Sequence, residues 1–247
     1  MIIFYLPGGV PVYLYPFIVG LGATVGLAWS VLRASAEDRI LIANAGLAAI
    51  VGAIVSGRIF YVLNDWSHYQ DQMLETIQIY LGGFSWIGAL LGAILFIVGF
   101  AFIKHESPLR LLDSLVPFAG AVVMSVWLAS WMDGYASGRA SDWWWAFPAR
   151  DGWGRLAPRF PVQVIGALTA LGTVWAADFL AKYFAVPGQI AASSAFLFSL
   201  VYFLLVFTRV DYVETFLGIR VDALAALVIA FITGSYLLIS WRQRTVG

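Results

Sequence analysis

The sequence predicts an all-α, polytopic membrane protein with seven transmembrane helices, and three observations carry that reading. Hydrophobic residues fill 62% of the 247 positions and charged residues only 11%, with a mean hydropathy of +0.87. A soluble domain is about 45–50% apolar and about 25% charged. Seven apolar stretches reach the roughly 20 residues that a bilayer crossing requires. Alternating apolar and polar patterns of the kind that mark strands are absent.

Taken in order, the spans lie near 11–32, 40–63, 83–103, 111–132, 161–181, 189–208 and 219–241. The links between them set the orientation. The short links and the tail on one side carry Arg33, Arg39, Lys104, Arg110, Lys182, Arg242 and Arg244. The other side holds only arginines, four of them (Arg139, Arg150, Arg155, Arg159) in the single loop 133–160. Basic residues in short loops favour the cytoplasm, so the N-terminus is expected outside and the C-terminus inside. Gly22 with Gly26 and Gly88 with Gly92 are small-xxx-small pairs, the mark of closely packed helices. Asp178 and Lys182 are spaced for a local ion pair. The whole of 1–247 reads as one transmembrane domain with outer-surface segments at 64–81 and 133–160.

Those two segments differ in kind. Residues 64–81 contain no Lys or Arg and place Met73, Leu74, Ile77 and Leu81 at helical spacing, which predicts an amphipathic helix lying on the outer surface. Residues 141–160 hold Trp143, Trp144, Trp145 and Trp153 with three arginines. Tryptophan settles at headgroup level, so this is an interfacial anchor, and the same composition suits a protein contact. The four tryptophans are accordingly the candidate partner-interface residues.

The fourth span leaves its helix through an unusual exit. The stretch from Leu111 to Arg139 opens with Asp113 and Pro117 and ends in Asp133-Gly134 and Gly138-Arg139. Such an exit points to backbone folded back where it is buried or lines a cavity. Arg58, between Gly57 and Tyr61, is the main charge within a span, a position that marks a functional site unless the side chain snorkels to the surface.

Composition also excludes. Zero net charge, from 14 basic and 14 acidic residues, gives nucleic acid no basic surface. Without cysteine there are no disulfides, thiolate nucleophiles or Cys-ligated metals. Two histidines, both in links, are too few for a histidine metal site, so neither metal nor cofactor is expected. A retinal Schiff base would need a lysine in the last span, which has none. An ion-coupled transporter would want acids at mid-membrane, whereas Asp113, Asp178 and Asp222 lie near span ends. The stretch MIIFYLPGG lacks the basic region and small-residue cleavage site of a removable signal.

In this order, the pieces resemble the prolipoprotein diacylglyceryl transferases, bacterial membrane enzymes that move diacylglycerol from phosphatidylglycerol to a lipoprotein cysteine. The likeness runs through PVYLYPFIVGLGATVGLAWS, Gly57-Arg58-Ile59 with Tyr61, and Gly82-Gly83-Phe84-Ser85 before Gly88 and Gly92. Asp113, Pro117, Gly134, Gly138 and Arg139 fall in register with the family signature, and Arg159-Phe160-Pro161-Val162-Gln163 resembles a further motif. The resemblance implies seven spans, an outside N-terminus and a multi-pass place in the bacterial cytoplasmic membrane. It also implies a phospholipid site, phosphatidylglycerol above all, drawn from Arg58, Tyr61, Asp133, Gly134, Arg139, Arg159 and Gln163.

The departures fall on the chemistry. Against the family pattern, Ile87 stands for a histidine, Trp127 for an arginine, Ser130 and Asp133 for asparagines, and Tyr135 for a glutamate. Phe160 stands for a histidine, Ile165 for a tyrosine and Tyr202 for an arginine. Transfer to a thiol needs a route for its proton and a cation for the phosphate leaving group, and Trp127 has one N–H and no charge. The expectation is a catalytically degenerate relative, with no assigned catalytic residue, that binds lipid or serves as a subunit of a larger membrane complex. The alternative is a divergent but active transferase using Arg58, Arg139 or Arg159.

Overall fold

A computed structural model of the protein describes residues 2–5 and 11–246, with the side chains of Leu81 and of 243–246, including Arg244 of the basic tail, outside that description. Among the described residues, seven helices are long and apolar enough to cross a membrane: Leu14–Arg33 (α1), Arg39–Asn64 (α2), Trp86–Lys104, Val116–Asp133, Val162–Ala181, Gln189–Val206 and Val221–Arg242. The chain divides into two compact units, Met1–Trp29 with Val116–Gly247, and Ser30–Leu115.

In the unit Ser30–Leu115, α2 is followed by a single helical turn, Trp66–Tyr69 (α3), then by Trp86–Lys104 (α4) and Pro108–Ser114 (α5). Helices α2 and α4 touch backbone to backbone. A Cβ added at Gly52 would come within 2.3 Å of the Gly92 carbonyl, and one at Gly88 within 2.5 Å of Phe60 Cβ. The small-residue pair Gly88/Gly92 therefore does what its spacing predicts. Ser85 caps α4 by accepting from Gly88 N at 3.3 Å. Arg110 of α5 reaches back to Asp38, just before α2, at 2.8 Å.

The other unit begins with strands Ile2–Tyr5 (β1) and Pro11–Tyr13 (β2), paired antiparallel, before α1. It continues through Val116–Asp133 (α6), Phe147–Arg150 (β3), Leu156–Arg159 (β4), Val162–Ala181 (α7), Gln189–Val206 (α8), Thr215–Phe216 (β5), Ile219–Arg220 (β6) and Val221–Val246 (α9). Gly22 and Gly26 let α1 close on α6, where added Cβ atoms would strike Ser125 and Ala121. Trp127, Val162, Ala167 and Leu205 form a core where α6, α7 and α8 meet.

Three sequence expectations are corrected. The fourth span is not continuous from 111: α5 ends at Ser114 and α6 starts at Val116, because Pro117 has no N–H for the Asp113 carbonyl and its ring crowds that carbonyl. Residues 64–81 are not one amphipathic helix. They form α3 and two short 3-10 turns, Met73–Ile77 and Ile79–Leu81, with Met73, Leu74 and Ile77 exposed. Among the described residues strands do occur, as three short ribbons β1–β2, β3–β4 and β5–β6 outside the long helices. Each is too short to show a period of two in sequence. The Lys182 ammonium lies over the rings of Phe179 and Tyr183, at 4.5 and 4.9 Å from their centroids.

Candidate functional site

The polar residues singled out in the sequence divide between the two units. Arg58 and Tyr61 belong to Ser30–Leu115, and Asp133, Gly134, Arg139, Arg159 and Gln163 to the other.

Arg58 is 5% exposed on the last turns of α2. Its Nε donates to Thr76 O at 3.0 Å, Nη1 to the carbonyls of Gly82 and Gly83, and Nη2 to Glu75 O. The guanidinium also lies 5.9 Å from the Tyr61 ring and 5.3 Å from that of Tyr69. Gly83 holds φ at +78°, and a Cβ there would meet Tyr61 Cε1 at 2.5 Å, so only glycine lets this turn face the guanidinium. Burial of this charge is balanced by four carbonyl dipoles and two ring faces. The carbonyls of Glu75 and Thr76 thus serve Arg58, Glu75 O also accepting from Gln78 N at 3.2 Å within the 3-10 turn.

In the other unit, α6 ends at Asp133 and Gly134 turns the chain with φ at +79°. Residues 137–141 then run as an extended bridge between two neighbours. Arg139 N donates to Thr208 O at 3.0 Å and Val210 N to Ser137 O at 3.0 Å on one side. Phe160 N donates to Arg139 O at 2.9 Å and Ser141 N to Pro158 O at 3.1 Å on the other. Gly138 is required by closeness, since a Cβ would lie 2.2 Å from Phe160 O. The folded-back exit predicted from Asp, Gly, Ser and Arg is this bridge, its amides satisfied by backbone on both flanks.

Arg159 and Gln163 fix the bridge from below. Arg159 is 8% exposed; its Nη2 meets Asp151 Oδ2 at 2.8 Å and its Nη1 donates to Gly138 O at 3.4 Å, while its buried Nε has no partner. Gln163 Nε2 donates to Tyr135 O at 3.0 Å. Amides from Arg155 and Trp153, opposed by partial desolvation and helped by the Arg159 and Arg155 charges, hold the Asp151 carboxyl below the usual range. The Arg139 side chain is exposed, and among the described residues it makes no hydrogen bond or ion pair.

A buried ionic cluster beside the bridge escaped sequence reasoning. Arg209 donates from Nε to Asp211 Oδ1 at 2.8 Å, from Nη1 to the Tyr202 hydroxyl at 3.1 Å, and lies 3.2 Å from Asp222 Oδ2. Arg220 forks onto Asp222 with two bonds of 3.1 Å and donates to Asp211 O at 3.1 Å. Burial works against the Arg209 charge, but Asp211, Tyr202 and Asp222 outweigh it and raise the pKa above the ordinary arginine value. The signal was present: Arg209-Val210-Asp211 and Arg220-Val221-Asp222 repeat one triplet.

Trp127 and Tyr202 stand against each other beneath this cluster, ring centroids 6.0 Å apart and edge to face, with Phe198 stacked on Tyr202. Trp127 is 5% exposed, and the indole fills the space above Gly166, where a Cβ would come within 2.3 Å of Trp127 Cε2. Of the tryptophan-rich loop, Trp143, Trp144 and Trp153 are exposed within this chain, while Trp145 packs on Phe160 with centroids 5.1 Å apart. Among the described residues no His, Asp and Glu group could hold a metal ion.

The family model described as prolipoprotein diacylglyceryl transferase matches residues 1–240. Similar curated proteins, each named phosphatidylglycerol–prolipoprotein diacylglyceryl transferase, come from Listeria innocua (32% identical over 112 residues), Bacillus velezensis (34% over 113) and Bacillus licheniformis (36% over 114). Each alignment takes in 44% of this chain and 40%, 41% and 42% of those relatives, so it spans about two fifths of their length. With seven membrane-capable helices and bacterial relatives, this is a multi-pass protein of the bacterial cytoplasmic membrane. The match across residues 1–240 makes the chain a member of the prolipoprotein diacylglyceryl transferase family.

Proposed function

We propose that this chain is a phospholipid-holding member of its family whose transfer chemistry has been displaced, and that it works as a lipid-binding or structural subunit within a membrane assembly. The observation that carries the reading is the Trp127–Tyr202 contact. Both positions are those at which the resemblance puts arginine, and here they are two rings packed together in the core of α6, α7 and α8. A ring pair offers no charge to a phosphate leaving group, and loss of one preorganised donor already costs about 10²–10³ in rate. The remaining buried cations have protein partners: Arg58 on carbonyls, Arg159 on Asp151, Arg209 on Asp211 and Asp222.

Arg139 is an exposed guanidinium, on the bridge, available to an anionic headgroup. With the N-terminus outside, it faces the outer leaflet, where a phosphodiester accepts a guanidinium in two-point fashion. Phosphatidylglycerol, named as a substrate of the relatives, is the lipid that this reading favours. Tyr61 and Arg58 then serve by shaping the 75–83 turn, and Asp133, Gly134, Arg159 and Gln163 by holding the bridge on which Arg139 is presented.

The second reading, an active transferase, has one observation in its favour: Arg209 donates to the Tyr202 hydroxyl and so sets a cation beside the ring pair. One assay separates the two. Purified protein is incubated with phosphatidylglycerol and a peptide bearing a lipobox cysteine, with the Bacillus velezensis relative in parallel. No lipidated peptide is expected from this chain; lipidation that disappears in Arg209→Gln would establish the second reading. Lipid extracted from the purified protein should be enriched in anionic phospholipid and lose that enrichment in Arg139→Ala. Unchanged lipid content in that variant removes the headgroup role.

A further inference from the structure

Helix α7 carries a glycine on its outward face. Gly172 is exposed, and a Cβ built there would meet nothing within 4 Å. Around that gap a slot of about 380 Å³ opens between α1 and α7, lined by Trp29, Leu168, Leu171, Gly172, Trp175 and Asp178. One wall is fixed, because Trp29 packs on the core cluster of Val116, Val174 and Ala177. The other belongs to Trp175, 74% exposed, with Leu168 and Leu171 exposed beside it. Asp178 lies in the last turn of α7, and Lys182 follows it with its ammonium over the Phe179 and Tyr183 rings.

Depth decides what can fill this slot. Gly172 lies midway along Val162–Ala181, about 15 Å from its first residue, so the slot opens into hydrocarbon and not into water. From Leu168 to Asp178 it follows α7 for about 15 Å, which matches one leaflet of a hydrocarbon core about 30 Å thick. Over that length its mean cross-section is about 25 Å², too narrow for a neighbouring helix about 10 Å across. An unbranched chain fits where a helix does not. We propose that the α1–α7 slot holds one acyl chain of a membrane phospholipid, laid across Gly172 between Trp29 and Trp175, with its headgroup at the end of α7. The apolar lining supplies the seat for the chain. Lys182, on the turn after Asp178, supplies a cation at headgroup level for the phosphate. The inference does not rest on the lipid-holding reading of Arg139: α7 begins on the side of that residue and ends on the other, so this lipid belongs to the opposite leaflet.

The test uses the full chain in detergent micelles with an equimolar phosphatidylcholine that bears a diazirine midway along one acyl chain. After photolysis, labelled sites should concentrate at Trp29 and within 168–178. Gly172→Leu fills the slot, and because a side chain there meets open space its thermal midpoint should match that of the parent. Labelling of 168–178 should fall about tenfold in that variant, since several methylene groups lose their burial. Gly99→Leu, at a glycine of α4 where an added Cβ also meets nothing within 4 Å, is the control and should leave labelling unchanged. Even labelling of all the lipid-facing helices, or equal labelling in Gly172→Leu and the parent, would overturn the proposal. Stronger labelling by a free fatty acid with the same diazirine tail would overturn it by assigning the slot to a fatty acid. A dimer that Gly172→Leu dissociates would overturn it in favour of a second copy of the chain.

Discussion

The indole of Trp127 and the phenol of Tyr202 meet edge to face with centroids 6.0 Å apart, and the Tyr202 hydroxyl accepts from Arg209. The aromatic pair is thus apolar on the side of α7 and polar on the side of the ionic cluster. Gly166 is the third member, because the indole occupies the space in which a Cβ would sit.

That triangle predicts a coupling. Gly166→Ala should destabilise the protein by about 1–3 kcal/mol through overpacking. In a Trp127→Ala background the same change should cost little, since the space has been cleared. Thermal midpoints of the four members of the cycle measure it; additive effects would show that the two positions do not share space.

Arg58 should act as the organiser of the 75–83 turn. Replacing it with Lys removes the planar fork that reaches several carbonyls at once, so Arg58→Lys should behave almost like Arg58→Ala. Loss of hydrogen bonds to a charged donor should cost about 3 kcal/mol. Amide exchange ought to accelerate in 73–83 while α7 and α8 stay protected, and unchanged exchange there contradicts the role.

The ionic pairs of the protein should differ sharply in their contributions. Asp222 is 2% exposed between Arg209 and Arg220, so Asp222→Asn leaves buried guanidinium groups short of a charge. A loss of about 3–5 kcal/mol is expected. Asp38→Asn, which breaks the exposed pair with Arg110, should cost under about 1 kcal/mol. Thermal unfolding in one detergent compares them, and equal losses would refute the assignment.

Asp151 gives the ribbon an acid sensitivity with a definite sign. Its carboxyl is held low by the amides of Arg155 and Trp153 and by the Arg159 charge. A depressed folded-state pKa stabilises the folded form above the unfolded value near 3.9, and that contribution fades as pH falls through the lowered value. The ribbon should therefore resist proteolysis at pH 7 and loosen below about pH 4, whereas Asp151→Asn should be loosened already at pH 7 and show no further acid step. A variant matching the parent at both pH values would rule this out.

The sequence by itself determined the membrane class, the seven spans and the family. Each rests on properties a linear chain displays: long apolar runs, and glycines and prolines whose backbone geometry allows few substitutes. Gly88 and Gly92 meet Gly52 and Phe60 as their spacing foretold, and Gly138 stands where an added carbon would strike Phe160. Tertiary structure alone decided what the charged residues do. Arg58 looks in sequence like a lone intramembrane charge, yet the carbonyls that satisfy it come from residues 75–83, which a local pattern cannot bring to it. The helical spacing of Met73, Leu74 and Ile77 gave only a short 3-10 turn, and the spacing could not show that carbonyls of that turn would serve the Arg58 guanidinium. Trp127 and Tyr202 are 75 positions apart and became one feature only when α6 and α8 packed together. Arg209 and Asp222 joined across the β5–β6 turn, since a buried charge takes the partner that folding brings within reach, whatever its distance along the chain.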